Sequence, residues 1–128
     1  MNRVEIVRDL YTAFSSRDQK RLRQILHPEI EWVQMEGFPN GGSHVGAESV
    51  LNGVFTRFRS EWASWNATVD EYLDAGDAVI ALGYYSGVHQ RTGKAMRAPF
   101  AHLYVIREGQ IVRFVQYTDT LKVAEAAE

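Results

Sequence analysis

Residues 4–14 carry apolar side chains at the spacing of an amphipathic helix. These side chains share one face of the predicted helix: Val4, Val7, Leu10, Tyr11 and Phe14. Asp18 is a candidate N-cap for a short second helix, which Pro28 would end. A third helix is predicted from residue 47 to about residue 61. Gly53 inside it costs roughly 1 kcal/mol relative to alanine, so packing must hold this helix together.

After Trp65 the apolar period changes from that of a helix to that of a strand. Four β-rich runs follow: 66–74, 77–90, 95–107 and 110–119. The sequences between them (Ala-Gly-Asp, Arg-Thr-Gly-Lys and Arg-Glu-Gly-Gln) are typical of hairpin turns. A weaker run from Ile30 to Met35 predicts a short strand, and the glycine-rich stretch 37–46 predicts a loop. We therefore expect one α+β domain over residues 1–128, with helices packed on a curved, mostly antiparallel sheet.

Tight turns at Glu108-Gly109 and Thr92-Gly93 would put small residues, aromatic rings and two titratable groups on one face of this sheet. That face carries Ala81, Gly83, Tyr85, Gly87, Ala98, Phe100, His102, Tyr104, Tyr117 and Asp119. Small residues leave space there, so the mixture predicts a ligand cavity rather than a filled core.

The opposite face of the predicted sheet is apolar. It carries Ile80, Leu82, Tyr84, Val88, Leu103, Val105, Val112 and Phe114. The helices can cover only one face, so we expect the other to be buried in a homodimer.

The composition of the chain argues against several classes of function. The formal charge of −2 argues against binding to nucleic acid or to an anionic membrane. There is no cysteine, and no apolar run is long enough to cross a bilayer, so a cytoplasmic protein is the expectation. The four histidines lack the short spacings of metal sites, and no nucleotide-binding fingerprint is present. We expect neither metal nor cofactor.

Three stretches carry a family resemblance: YTAFSSRDQKRLRQILHPEIEW (11–32), GGSHVGAESVL (41–51) and AHLYVIREGQIVRFVQYTDT (101–120). With the order of helices and strands, they resemble the SnoaL-like polyketide cyclase branch of the NTF2-like superfamily, which also contains ketosteroid isomerase and limonene epoxide hydrolase. The resemblance implies a cone-shaped α+β barrel with a deep pocket between helices and sheet, and commonly a dimer.

The resemblance also implies roles for single residues. His102 falls where ketosteroid isomerase carries its oxyanion-hole aspartic acid, whereas the position of that enzyme's base falls near Gln34, which cannot take a proton. The isomerase tyrosine falls at or next to Tyr11, and the Arg-x-Asp element of the hydrolase is absent. What remains is similar to the cyclase pattern, a strand histidine and an aspartate near the end of the last strand: His102 and Asp119. The position of Asp119 is equally typical of an N-cap for the helix-prone tail. Without the resemblance His102 would be a satisfied, half-buried histidine, and the resemblance favours the functional role.

We expect a cofactor-independent acid–base enzyme of the isomerase, cyclase or lyase type, acting on a small apolar carbonyl compound. Asp119 would be the base and His102 the acid or oxyanion donor. The expected substrate contacts are Tyr11, Trp32, Gln34, His44, Tyr85, Phe100, Tyr104 and Tyr117. As core residues the aromatic members of this set would need no ligand. The alternatives are a non-catalytic small-molecule-binding protein and a dimeric interaction module of the same fold.

Overall fold

The computed structural model describes residues 1–128, and helices precede most of the sheet. The elements are α1 (Arg3–Ser16), α2 (Gln19–Ile25), β1 (Leu26–Gln34), β2 (Gly42–Val45), α3 (Ala47–Ser49), a π-helical turn (Val50–Phe55), α4 (Thr56–Glu61), β3 (Trp62–Ala75), β4 (Ala78–His89), β5 (Ala95–Arg107), β6 (Gln110–Thr118) and α5 (Thr120–Ala126). The α+β architecture predicted from the sequence is confirmed.

The helix starts follow from side chains that satisfy free backbone N–H groups. Asn2 and Glu5 form a reciprocal capping box at the start of α1. Asp18 caps α2 as predicted, accepting a hydrogen bond from the backbone N–H of Arg21 at 3.0 Å. Asp119 does the same for α5, accepting from the N–H of Lys122 at 3.3 Å.

Six strands form one sheet in the order β2-β1-β6-β5-β4-β3. All neighbours are antiparallel except β1 and β6, which run parallel. The sheet is open, with β2 and β3 as its edges, and does not close into a barrel.

Two predictions around β1 and β2 are wrong. The stretch taken for a loop contains β2, which pairs with β1 and places His44 opposite Trp32. Pro28 does not mark the end of α2, since it lies inside β1. Its missing N–H is tolerated because the pairing of β1 with β6 is interrupted between Leu26 and Glu31.

The third helical segment spans residues 47–61, as predicted, but its middle is the π-helical turn that contains Gly53. Trp62, directly after this segment, begins β3. The segment packs its buried side chains on the concave face of the sheet: Ala47, Val50, Leu51, Val54, Phe55 and Phe58.

A tight turn at Thr92-Gly93 would pair Tyr85 with Phe100, but Tyr85 pairs with Ala98 and Ala81 with His102, so the predicted register of the β4–β5 hairpin is off by two residues. A two-residue shift keeps every side chain on its face. The β5–β6 hairpin differs, because its register changes by one residue between Ile106 and Val105. From that point His102 pairs with Gln116, and every later residue of β6 faces the other side.

Candidate functional site

His102 lies at the centre of the concave face, on β5, with 3% of its surface exposed. Its Nδ1 lies 2.6 Å from the hydroxyl of Tyr11 on α1. Its Nε2 lies 2.6 Å from the hydroxyl of Tyr85 on β4. The ring of Phe100, two positions away on the same strand, stacks on the imidazole with a centroid distance of 3.8 Å. The imidazole is therefore fixed in position and bonded at both nitrogens.

Further side chains extend this hydrogen-bond network at both ends. The Tyr104 hydroxyl donates to that of Tyr11 at 2.8 Å. The Gln116 amide donates to the hydroxyl of Tyr85 at 2.8 Å and accepts from the backbone N–H of Met35 at 3.2 Å. Sequence reasoning missed Gln116 because the assumed β5–β6 register turned it away from the cavity. The residues next to it in the sequence, Val115 and Tyr117, do not mark Gln116 as a site residue either.

Burial keeps the network uncharged. Desolvation lowers the pKa of His102 well below its ordinary value of 6.5, so the neutral imidazole persists at neutral pH. Desolvation also raises the pKa of Tyr11 and of Tyr104, and for Tyr11 the neighbouring tyrosines add to the effect. Burial raises the pKa of Tyr85 too, partly offset by the hydrogen bond from Gln116. No charged group lines the chamber beside His102.

Counting protons in this network leaves one hydroxyl hydrogen free. A neutral imidazole donates from one nitrogen and accepts at the other, so one of its two tyrosines donates to it and the other accepts from it. With the hydrogen on Nε2, Tyr11 donates to Nδ1, while Tyr85 accepts from Nε2 and from Gln116. Tyr85 then keeps its own O–H for a ligand. With the hydrogen on Nδ1, the free O–H is that of Tyr11.

A small apolar chamber, here called the inner chamber, adjoins the two tyrosines and has a volume of about 40 Å³. The chamber holds a few water-sized atoms but not a whole organic molecule. Its apolar lining includes Leu10, Phe14, Phe55, Phe58, Trp65, Ala67 and Phe114. It opens toward a larger cleft between α1, α4 and β3, with which it shares Tyr11, Phe14, Phe58, Trp65 and Ala67. We call the rings of Phe14, Phe58 and Trp65 the aromatic collar.

Two further polar side chains reach the chamber. The indole N–H of Trp32 is buried and has no hydrogen-bond partner. Such an orphan donor costs about 1–3 kcal/mol. The Gln34 amide nitrogen donates to the backbone carbonyls of Pro39 and Asn40 at 3.5 and 3.4 Å, which leaves its oxygen for a ligand.

The glycines of the concave face do not make the space that the sequence suggested. A Cβ at Gly83 would lie 1.9 Å from the backbone oxygen of Thr68, and one at Gly87 would lie 2.5 Å from that of Ser64. These glycines let the backbone of β3 approach β4 closely. The small size of the chamber follows from this and from the aromatic side chains around it.

Of the predicted site residues, six line the chamber: Tyr11, Trp32, Gln34, Tyr85, His102 and Tyr104. Phe100 lies behind His102 and does not line it. His44 also lies outside, because its Nε2 bonds the carbonyl of Asn40 at 2.9 Å near the edge strand β2.

The predicted placement of Tyr117 and Asp119 on the cavity face is wrong. The one-residue shift in β6 turns Tyr117 outward, where 52% of its surface is exposed. Asp119 lies outside β6 as the N-cap of α5 and does not line the chamber. The same shift moves Phe114, predicted on the outer face, into the core.

No group of three or more histidine or acidic side chains is placed to hold a metal ion. No helix combines the length and the apolar character that a membrane crossing needs.

Comparison with known families shows to which protein family the chain belongs. The model of the SnoaL-like domain matches residues 7–114, most of the chain. The chain belongs to the SnoaL-like family. Among curated proteins, none matches it.

Solved structures show the NTF2-like fold. An NTF2-like protein from Burkholderia thailandensis is 40% identical, covers 97% of this chain and 95% of its own, and has a TM-score of 0.92. TerC, co-crystallised with polyporic acid, is 23% identical over 97% and 96% of the two chains, with a TM-score of 0.86. IdmH from Streptomyces antibioticus, a candidate polyketide cyclase, is 22% identical over 96% of each chain, with a TM-score of 0.80. This SnoaL-like chain thus has the fold that its sequence predicted, with helices packed on an open mixed sheet.

Proposed function

We propose that this SnoaL-like protein binds a small apolar carbonyl compound and acts on it as a cofactor-independent acid–base enzyme of the isomerase, cyclase or lyase type. The observation that carries the proposal is the neutral imidazole of His102, held at 2.6 Å by tyrosine hydroxyls on both sides next to an apolar chamber. The family and its structural neighbours support a small-molecule-binding domain.

The substrate oxygen would be held by two donors. With the imidazole hydrogen on Nε2, the free O–H of Tyr85 points to the ligand, and the unpartnered N–H of Trp32 supplies a second donor. Both stabilise negative charge that develops on a carbonyl oxygen when a neighbouring carbon loses a proton. Because the lining of the chamber is mostly apolar, this stabilisation is stronger there than in solution.

His102 is the proton acceptor that faces the chamber, since no carboxylate lines it. The α-carbon proton passes to the Tyr11 oxygen while the Tyr11 hydrogen passes to Nδ1 of His102, at 2.6 Å. The C–H electron pair forms the carbon–carbon double bond of the enolate, and the π pair of the carbonyl moves onto the oxygen beside Tyr85 and Trp32. Because burial disfavours the imidazolium, the proton returns quickly to carbon, at the same or another position. Asp119, expected as the base, has no part in this step.

The test is turnover of β,γ-unsaturated ketones, followed by the ultraviolet absorbance of the conjugated product. His102→Gln and Tyr11→Phe should each lower kcat by at least about 100-fold, the usual contribution of a positioned acid or base. Asp119→Asn is the control and should keep the parental rate, because Asp119 lies outside the chamber. Full activity of His102→Gln, or its loss in a folded Asp119→Asn variant, would contradict these roles.

One observation favours a second candidate, a non-catalytic small-molecule-binding protein. All groups of the network are uncharged, and the low pKa of His102 makes it a weak base. Binding of 2-acetylnaphthalene, measured by quenching of tryptophan fluorescence, separates the candidates. Binding without exchange of the acetyl protons for solvent deuterium supports the second one.

We also propose that a second copy of the chain covers the outer face of the sheet. Several large side chains there are half-buried rather than buried, although the helices pack on the other face: Ile80, Leu82, Tyr84, Leu103, Val105 and Val112. A sheet face that carries several partly exposed apolar side chains is typical of an interface.

A further inference from the structure

The larger cleft outside the aromatic collar, here called the outer cleft, has a volume of about 310 Å³. It lies between the end of α1, helix α4 and the first half of β3. Its polar lining consists of Ser15, Arg17, Arg59, Ser64 and Asn66. A ligand whose carbonyl group reaches His102 cannot fit within the 40 Å³ of the inner chamber, so its remainder must extend past the collar into this cleft.

The outer cleft carries positive charge that no acidic residue balances. Arg17 and Arg59 line it, and none of its lining residues is aspartate or glutamate. Neither arginine forms an ion pair, whereas four others do: Arg21 with Asp9, Arg23 with Glu48, Arg57 with Glu61 and Arg113 with Glu31. The two cations therefore share one cleft without an anion.

Arg59 is held in place by the end of α1. Its Nη2 donates to the backbone carbonyl of Phe14 at 3.1 Å, and its guanidinium lies 5.4 Å from the centroid of the Phe14 ring. Cations at a helix C-terminus are favourable, which accounts for one arginine at this position. Arg17 is the C-cap residue of α1, so a second cation stands at the same helix end. Burial and, after it, the charge of Arg17 lower the pKa of Arg59, so the two cations repel each other. A bound anion would relieve this repulsion.

We propose that the ligand of this protein is an amphipathic carbonyl compound with a carboxylate at the end opposite its carbonyl group, and that Arg17 and Arg59 bind this carboxylate at the mouth of the outer cleft. The inference rests on the function proposed above. The carbonyl end enters the inner chamber, the apolar middle contacts Phe14, Phe58 and Trp65, and the anion remains at the solvent-accessible rim. Guanidinium groups suit a carboxylate because their N–H donors match its two oxygens.

A pair of isosteric probes tests the proposal: 6-acetyl-2-naphthoate and the neutral 6-acetyl-2-naphthamide. Binding is measured by tryptophan fluorescence, for which Trp62 and Trp65 line the cleft. In 20 mM salt the carboxylate should bind about tenfold more tightly than the amide, and the difference should shrink as added salt screens the charges.

Three variants locate the effect. Arg17→Asn keeps a residue that tolerates the left-handed backbone at this position (φ 58°), and Arg59→Gln removes the second charge. Each should bring the carboxylate within about twofold of the amide and leave amide binding unchanged, since an uncharged probe makes no ion pair. Arg57→Gln is the control on the same helix; Arg57 pairs with Glu61 and does not line the cleft, so the tenfold preference should persist. If thermal unfolding shows that Arg59→Gln is destabilised, the carboxylate preference of Arg17→Asn alone is used to test the anion site.

The outcomes separate this inference from the function on which it rests. Equal binding of both probes by the parent protein overturns the anion site but leaves the carbonyl site standing. A preference that survives both arginine substitutions also overturns it. Absence of binding by either probe contradicts the carbonyl site, and the anion site with it.

Discussion

At the scale of single residues, the site combines satisfied and unsatisfied hydrogen bonds. Both nitrogens of His102 are bonded, whereas the N–H of Trp32 in the same chamber is not. The first arrangement fixes the imidazole, and the second leaves a buried donor that gains a partner only when a ligand or water enters. Because both lie around one chamber, the site is rigid on the side of the imidazole and incomplete on the side of the indole.

Burial of a neutral His102 predicts a pH dependence of stability. The pKa of His102 is well below 6.5 in the folded protein and near 6.5 in the unfolded chain, so only the unfolded chain binds a proton just below pH 6.5. The His102 contribution to the free energy of unfolding is then complete above pH 6.5. It falls by about 1.4 kcal/mol for each pH unit below that value until the folded pKa is reached.

Urea unfolding of the parent and of His102→Gln at pH 7.5, 6.5 and 5.5 measures this term. The stability difference between the two should be largest at pH 7.5 and should shrink by pH 5.5, because glutamine cannot take up the proton. A constant difference across the three pH values would show that His102 titrates alike in both states.

At the scale of elements, one extra residue in a strand decides which side chains reach the site. The Glu108-Gly109 turn predicts the pairing of Ile106 with Ile111 correctly, but Val105 then pairs with Arg113 and leaves Val112 without a partner. This bulge reverses the facing of the rest of β6. The sequence holds no glycine or proline there to mark it, so β4 and β5 could be assigned to their faces but β6 could not.

Local patterns did predict the parts that depend on neighbouring residues. Apolar spacing predicts residues 47–61 as helical, and Asp18 and Asp119 are the helix caps that their positions suggested. Tyr11 and Tyr85 were candidate site residues, but nothing local shows that both bond one histidine, because they lie 91 and 17 residues from it along the chain. Such contacts depend on how α1 docks on the sheet.

Two glycine substitutions should have opposite effects on stability, because the space around the two residues differs. Gly83 lies opposite the irregularity of β3 between Val69 and Glu71, where a side chain would collide with the backbone of Thr68. Gly83→Ala should therefore lower the free energy of unfolding by about 1–3 kcal/mol. Gly53, within the π-helical turn, has open space around it, so Gly53→Ala should raise stability by up to about 1 kcal/mol. Chemical denaturation of both variants checks the signs, and a neutral Gly83→Ala would refute the close approach of β3.

At the scale of the whole molecule, the sheet has two faces and the helices occupy one. The concave face packs against α1 and the helical segment 47–61 and holds the chamber. The outer face carries half-buried aliphatic side chains on its three central strands, with Leu82 on β4, Leu103 on β5 and Val112 on β6. The helices of the described residues do not fully cover these side chains. A second copy could do so by presenting the same face, which gives a closed twofold arrangement.

The proposed dimer predicts the effect of one charge at the centre of that face. Leu82→Lys places an ammonium group among apolar side chains of both copies, where it would lose its hydration without gaining a partner. Sedimentation velocity should show a dimer for the parent and a monomer for Leu82→Lys. Val45→Lys is the control, because Val45 is exposed on the edge strand β2, and it should remain dimeric. Since the chamber lies on the concave face, the monomer should still bind 2-acetylnaphthalene. A parent that sediments as a monomer would show that the outer face is left to solvent or to a different partner.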